Sequence, residues 1–453
     1  MSTSLLDRLR GETGKALVRT FLAKGISAFG ALGLIVVVGH LYGPDGVGVY
    51  ALAQSILLGA GILARRGMDN ALIRFVGRDS ESPQIRRYLF WAGLRSLWIS
   101  APLLLIIVTL RSPIEQLFSM PKLADMLLGF GIAVPFYTWS FLLAGFFKGI
   151  RKPATAALQE NGAIALVAGG LVLVLALVSP VSHETPLTLA ALGWVYLVAA
   201  FMIALQGSIL AFVWFRNQAA TTSPMLSRKD TEEFRGASLS FFIMGMAGFM
   251  QSVLSIMIVG KFLGSFELGL FKSAQQIAIS VAFVLMVINA IYPPRFAMLY
   301  HQGRLGSLGV VARRAALLGL ALSAPFLAVC LLFPELILRF LGEGFDAAAR
   351  LLRILALAQL VNVATGSVGF LLNMTGHDRI MRNIALICNS LGLLGFLFLT
   401  PALGALGASI VLAFVLVAQN VVALVCVWLK LGIWTLPGPN WLALLGIRGS
   451  VNR

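Results

Sequence analysis

The residues best suited to chemistry in this chain are cations and amides standing in long apolar runs. Arg74 and Arg295 each precede a phenylalanine at the end of such a run. A guanidinium there presents a planar fork of donors that binds phosphate oxygens with charge-assisted hydrogen bonds. Four further charges fall inside apolar segments: Lys24, Arg95, Glu160 and Lys272. Three of the four are positive, a balance that suits an anionic passenger and poorly suits a cationic one. Gln276 and Ser280 follow Lys272 at i+4 and i+8, which lays one polar stripe along an apolar helix. Gln54 and Gln275 add amides that can hydrogen-bond sugar hydroxyls.

A second reading stands beside each of these. Lys24 and Arg95 lie about six and eight residues from the ends of their segments, within snorkelling reach at about 1.5 Å per residue. Glu160 can pair with a neighbouring cation. The amides can serve as glue between helices, worth about 0.6 kcal/mol per contact. Arg74 and Arg295 can be ordinary anchors at a membrane surface.

The elements that position these residues follow from composition. Of 453 residues, 59% are hydrophobic and 12% charged, and mean hydropathy is +0.91. A soluble core needs far less apolar side chain, whereas a set of roughly 20-residue membrane helices accounts for it. Twelve spans fit: 18–42, 45–65, 87–110, 123–147, 155–179, 187–215, 237–262, 266–292, 312–334, 348–373, 380–400 and 403–429. Charge precedes the first apolar run and no small-residue cleavage site follows it, so no removable signal peptide is expected. Cys330, Cys388 and Cys426 are scattered within apolar runs, which predicts neither a disulfide nor a metal framework.

Lys and Arg placement orients the chain. With the N-terminus inside, the inner segments hold 26 of the 35 Lys+Arg and the outer loops six. By the positive-inside rule both termini are cytoplasmic. The net charge of +17 is then a topology signature, and no nucleic-acid partner is expected.

The stretch Val38–Phe75, shifted by 221 residues without a gap, meets Val259–Phe296 with nine identities in 38 positions, against about three from composition alone. The shared residues include Gly43/Gly264, Gly48/Gly269, Gln54/Gln275 and Arg74/Arg295. This internal repeat predicts two parallel six-span lobes. The parts are a tail at 1–17, an N-lobe at 18–215, a linker at 216–236, a C-lobe at 237–429 and a tail at 430–453. The repeated glycines flank the outer hairpin turns; turn duty is the first reading, and close packing at an outer gate the second.

The residues LYGPDGVGVYALAQS (41–55) and ARRGMDNALIRF (64–75), with GIRKP (149–153) and TGHDR (375–379), resemble the Wzx-type oligosaccharide flippases of the multidrug/oligosaccharidyl-lipid/polysaccharide exporter superfamily. The resemblance implies an all-α fold of two lobes around a central cavity open alternately to each side, with spans 1, 2, 7 and 8 lining the gap. It implies a bacterial inner-membrane location, an undecaprenyl-pyrophosphate-linked oligosaccharide as cargo, and a polymerase and chain-length regulator as partners. On that basis Arg74, Arg295, Lys272, Arg95, Lys24, Gln54, Gln275, Gln276 and Glu160 form the candidate substrate path. A departure is the lack of a strong acidic residue in spans 1 and 7, which disfavours the cation-coupled drug exporters; only Glu267 fits that role. No nucleotide-binding loop occurs, so no cofactor is expected and energy comes from an H+ or Na+ gradient or from the cargo's own gradient. A membrane polymerase or ligase is the other alternative, but the longest outer stretches, near 111–122 and 335–347, are short, and His183, between spans 5 and 6, is the one histidine between spans on the outside.

Overall fold

The computed structural model describes residues 12–78, 84–178, 188–217 and 228–436. All regular structure among them is helical. The choice is physical: apolar segments in hydrocarbon must satisfy every backbone N–H and C=O internally, and a helix does so within one segment. His183 and the centre of the expected linker, 218–227, lie outside the described residues.

The chain forms two compact units, Met1–Phe266 and Glu267–Arg453. The division falls after the seventh span and not in the 216–236 linker, because the helix that leaves the linker packs on the turn after the second span and on the third. In chain order the first unit contains α1 Glu12–Arg65, α2 Met68–Arg78, α3 Ile85–Thr109, α4 Arg111–Phe118, α5 Leu123–Gly149, α6 Pro153–Ala157, α7 Asn161–Val178, α8 Leu189–Arg216, α9 Arg228–Phe249 and α10 Ser255–Phe262. The second contains α11 Ser265–Val281, which begins at its edge, α12 Phe283–Ile291, α13 Pro293–His301, α14 Leu305–Leu332, α15 Pro334–Arg339, α16 Ala349–Thr365, α17 Val368–Met374 and α18 Asp378–Leu431.

α1 and α18 are each 54 residues long. At 1.5 Å per residue that is about 80 Å, more than twice the hydrocarbon thickness. Each is therefore two spans joined by a break at a glycine. Gly43 has φ 64°, ψ −168° and Gly404 has φ 63°, ψ −147°. A side chain would clash in that conformation, so glycine alone takes it cheaply. With each kinked helix counted as two, and the bent pairs α9/α10 and α11/α12 as one each, the described residues give the twelve expected spans.

The spans expected at 237–262 and 266–292 are each bent. The first turns by 42° through a π-helical stretch, Met250–Leu254, and the second by 45° near Ala282. A π turn inserts a residue into the i→i−4 ladder and reorients the helix beyond it. The fifth span is also shorter than expected: α6 stops at Ala157 and α7 starts at Asn161, so 158–160 form a turn.

The repeat is visible element by element. Each half of the repeat carries a short helix after its first hairpin, α2 and α13, and another after its third span, α4 and α15. Outward faces are apolar, as in Phe29, Trp98, Leu177, Phe212 and Phe398, while interiors are close-packed. This inside-out exposure is what lipid as solvent dictates.

Candidate functional site

α2 begins immediately after a sharp turn at Arg66 (φ 45°) and Gly67 (φ 76°). Its buried face is Met68, Ala71, Leu72, Phe75 and Val76, at helical spacing. Arg74 stands on the opposite face, exposed, with no carboxylate partner among the described residues. Arg78, one turn on, is engaged: it lies 3.3 Å from Glu233 and 5.0 Å from the centre of the Phe75 ring. In the second unit α13 repeats the arrangement. Arg295 is exposed and Phe296 is 1% exposed. The Arg-Phe pair thus recurs, a buried ring beside an exposed guanidinium; that of Arg74 lies 5.8 Å from the centre of the Phe75 ring.

Lys272 lies on α11, partly buried, among Leu268, Phe271 and Ser273. Its Nζ donates to Gln275 Oε1 at 3.4 Å, and no ion pair reaches it among the described residues. Its partner amide is at i+3, while Gln276 contributes its backbone carbonyl to Ser280 Oγ at 3.1 Å. The expected stripe is therefore formed by Lys272 with Gln275 as much as with Gln276. Lys24 is partly buried on α1, again with no ion pair among the described residues.

Gln54, the repeat partner of Gln275, sits in the interior of the first unit beside the hydroxyls of Tyr50 and Tyr196. Tyr196 Oη donates to Asn161 Oδ1 at 2.9 Å, and the Tyr196 ring stacks on Phe130 at 4.5 Å. Gln54 therefore belongs to a polar network joining α1, α7 and α8. A comparable amide network in the second unit joins Gln359 to Asn362 at 2.8 Å and Thr365 to Asn420 at 3.4 Å.

Glu160 is not deep within a span. It occupies the turn before α7, where its carboxylate meets Lys148 Nζ at 2.6 Å. Glu267 is also engaged: its Oε2 accepts from the Ala405 backbone N–H at 3.3 Å, capping the helix that restarts after Gly404. Glu160 and Glu267, the latter the one carboxylate that fits a cation-coupled exporter, thus both have structural partners.

Arg95 is exposed on α3, its guanidinium 5.8 Å from the centre of the Trp91 ring. It lines an open cavity of about 290 Å³ shared with the turn after α1 and the start of α9.

Two residues carry more than sequence reasoning assigned them. Arg65 is only 5% exposed, 4.0 Å from Asp69 and stacked 4.1 Å over Phe141. The i+4 spacing to Asp69 was its one sequence signal. Gly48 flanks the hairpin, but a Cβ there would meet the Ser265 carbonyl oxygen at 1.9 Å. Its role is close backbone approach, with Ser265 Oγ also donating to Asp45; Gly43 has the turn duty.

With this geometry in place, the comparisons with known proteins are specific. The profile described as "Polysaccharide biosynthesis protein" matches residues 15–299, and the MatE profile matches 241–398. The Lipid III flippases of Escherichia coli (strain K12) and Shigella flexneri are each 27% identical over 167 residues, 36% of this chain and 39% of theirs. The chain thus aligns with about two fifths of the length of these curated relatives. Among solved structures, Lipid II flippase MurJ in an inward closed conformation has a TM-score of 0.69 at 11% identity, covering 90% of this chain and 86% of that one. The MATE multidrug transporter DinF-BH has a TM-score of 0.64 at 18% identity, covering 94% of this chain and 96% of that one. These likenesses establish the fold.

Proposed function

We propose, for a chain that belongs to the polysaccharide biosynthesis protein family and to the multidrug/oligosaccharidyl-lipid/polysaccharide exporter superfamily, an alternating-access flippase that moves an undecaprenyl-pyrophosphate-linked oligosaccharide from the cytoplasmic to the outer leaflet. The observation that carries this reading is the charge inside the spans. Lys272 is a cation within an apolar helix whose only described polar partner is a neutral amide. An intramembrane charge is costly and persists where function uses it. Glu267, the one carboxylate placed to serve a cationic drug, is instead held by the Ala405 N–H, and Glu160 by Lys148.

In this reading Arg74 and Arg295, one in each half and each without a carboxylate partner among the described residues, capture the pyrophosphate at the cytoplasmic surface. Lys272 and Lys24 then offer positive charge along the path, and Gln275 and Gln276 offer hydrogen bonds to sugar hydroxyls. Both termini are cytoplasmic, as the Lys/Arg bias requires, and the membrane is the bacterial inner membrane. A polymerase and a chain-length regulator consume the product. Transport draws on an H+ or Na+ gradient or on cargo concentration.

The test is a lipid extract from cells depleted of this protein, analysed by mass spectrometry, with sidedness probed by a membrane-impermeant glycosidase. Accumulated undecaprenyl-pyrophosphate oligosaccharide shielded on the cytoplasmic side is the expected result. Accumulation on the outer side would indicate a polymerase or ligase instead, and an unchanged glycolipid profile would sink the proposal.

A further inference from the structure

The cavity that holds Arg95 brings together three arginines from distant points of the sequence. Arg66 comes from the strained turn after α1, Arg95 from α3 and Arg235 from α9. No carboxylate of the described residues pairs with any of the three. Glu232 also lines the cavity, but its carboxylate is already bound to Arg228 at 3.0 Å. The local charge is therefore strongly positive, and the volume of about 290 Å³ admits a phosphate headgroup but not an oligosaccharide.

The rims of the cavity indicate depth. Along α9 the row passes from Glu232 and Arg235 through Gly236 to Leu239 and Ile243, which are 48% and 57% exposed. Along α3, Arg95 is followed one turn on by Trp98, 75% exposed. Outward apolar residues flank the cavity's arginines on both helices, Phe90, Leu94 and Trp98 along α3 and Leu239 and Ile243 along α9, and Trp91 also lines the cavity. An indole beside arginines at such a boundary is the arrangement of a membrane interface, where lipid phosphates lie. Basic pockets between spans at that depth bind anionic headgroups.

The position is held by design of the fold. Ser238 Oγ donates to the Arg66 carbonyl at 2.6 Å, and Phe234 packs on Phe75, Tyr88 and Trp91 at 5.2–5.5 Å between ring centres. These contacts fix α9 against α2 and α3, so the three arginines line one cavity before any ligand arrives.

We propose that this cavity is a binding site for an anionic glycerophospholipid, separate from the cargo path, with the phosphodiester between Arg66, Arg95 and Arg235 and the acyl chains along Trp98, Leu239 and Ile243. The lipid joins the start of α9 to the first hairpin and couples the chain's packing to the charge of the leaflet.

Native mass spectrometry of the full chain, titrated with phosphatidylglycerol or phosphatidylcholine, tests this. The wild type retains one phosphatidylglycerol with at least a tenfold preference. Arg66→Gln combined with Arg235→Gln removes that preference. Gly236→Phe removes it too while leaving every arginine in place, since a Cβ at Gly236 enters open space and the ring extends into the cavity; Gly236→Ala retains it. Gly236→Phe keeps the test valid if the double variant fails to fold. Equal retention by all variants overturns the proposal. Binding of sodium pyrophosphate in place of the lipid assigns the site to free phosphate and also overturns it. Displacement of phosphatidylglycerol by equimolar undecaprenyl pyrophosphate overturns it in favour of a cargo site.

Discussion

Replacing Gly67 by alanine tests how α9 is held. Gly67 has φ 76°, where an L side chain costs about 1–2 kcal/mol. The added Cβ would also lie 2.4 Å from the Ser238 carbonyl oxygen and 2.6 Å from the Phe242 amide nitrogen. Both are backbone atoms of a helix, so neither can rotate away, and overpacking of this kind adds about 1–3 kcal/mol. The two effects together destabilise the docking of α9 by about 2–5 kcal/mol. The same displacement opens the 2.6 Å Ser238–Arg66 hydrogen bond. Gly245→Ala is the internal control: it lies in α9 with nothing within 4 Å of its added Cβ, so it stabilises by up to about 1 kcal/mol through helix propensity. Thermal unfolding followed by tryptophan fluorescence, in one detergent, gives the comparison. Gly67→Ala must melt below the wild type and Gly245→Ala at or above it. A Gly67→Ala protein that melts with the wild type would refute the packing of α9 on this turn.

Three further outcomes are expected. Arg74→Gln together with Arg295→Gln removes up to two charge-assisted phosphate contacts at about 1.5–3 kcal/mol each, so flipping in vesicles falls by at least tenfold, while Lys229→Gln on the exposed face of α9 leaves it within about twofold; equal effects would overturn the portal assignment. Lys272→Met abolishes flipping at normal membrane abundance and Lys272→Arg restores a measurable part of it, whereas full activity in the Met variant would show that the charge is not used. Phe234→Ala, at a site 1% exposed between three aromatic rings, costs about 3–5 kcal/mol and exposes α9 to limited proteolysis near Arg228, and unchanged protease resistance would contradict the packing described.

Much of the architecture was legible in the sequence because membrane spans are local objects. Length, hydropathy and Lys/Arg bias act over about 20 residues at a time, and the ungapped repeat set Arg74 against Arg295 and Gln54 against Gln275 without any knowledge of packing. The breaks at Gly43 and Gly404 follow from the same locality, since two spans in succession must reverse direction. Distances across the fold were not legible. That Glu160 meets Lys148, that Glu267 caps Ala405, and that Gln54 faces Tyr196 depend on which helix faces which. Arg66, Arg95 and Arg235 lie in separate loops and helices of the sequence, and only the docking of Phe234 and Ser238 on α2 and α3 gathers them. Hydrophobic periodicity says that a face is buried but not against what, because the transfer of apolar surface is non-directional. The partner of each polar group is therefore decided by tertiary packing alone.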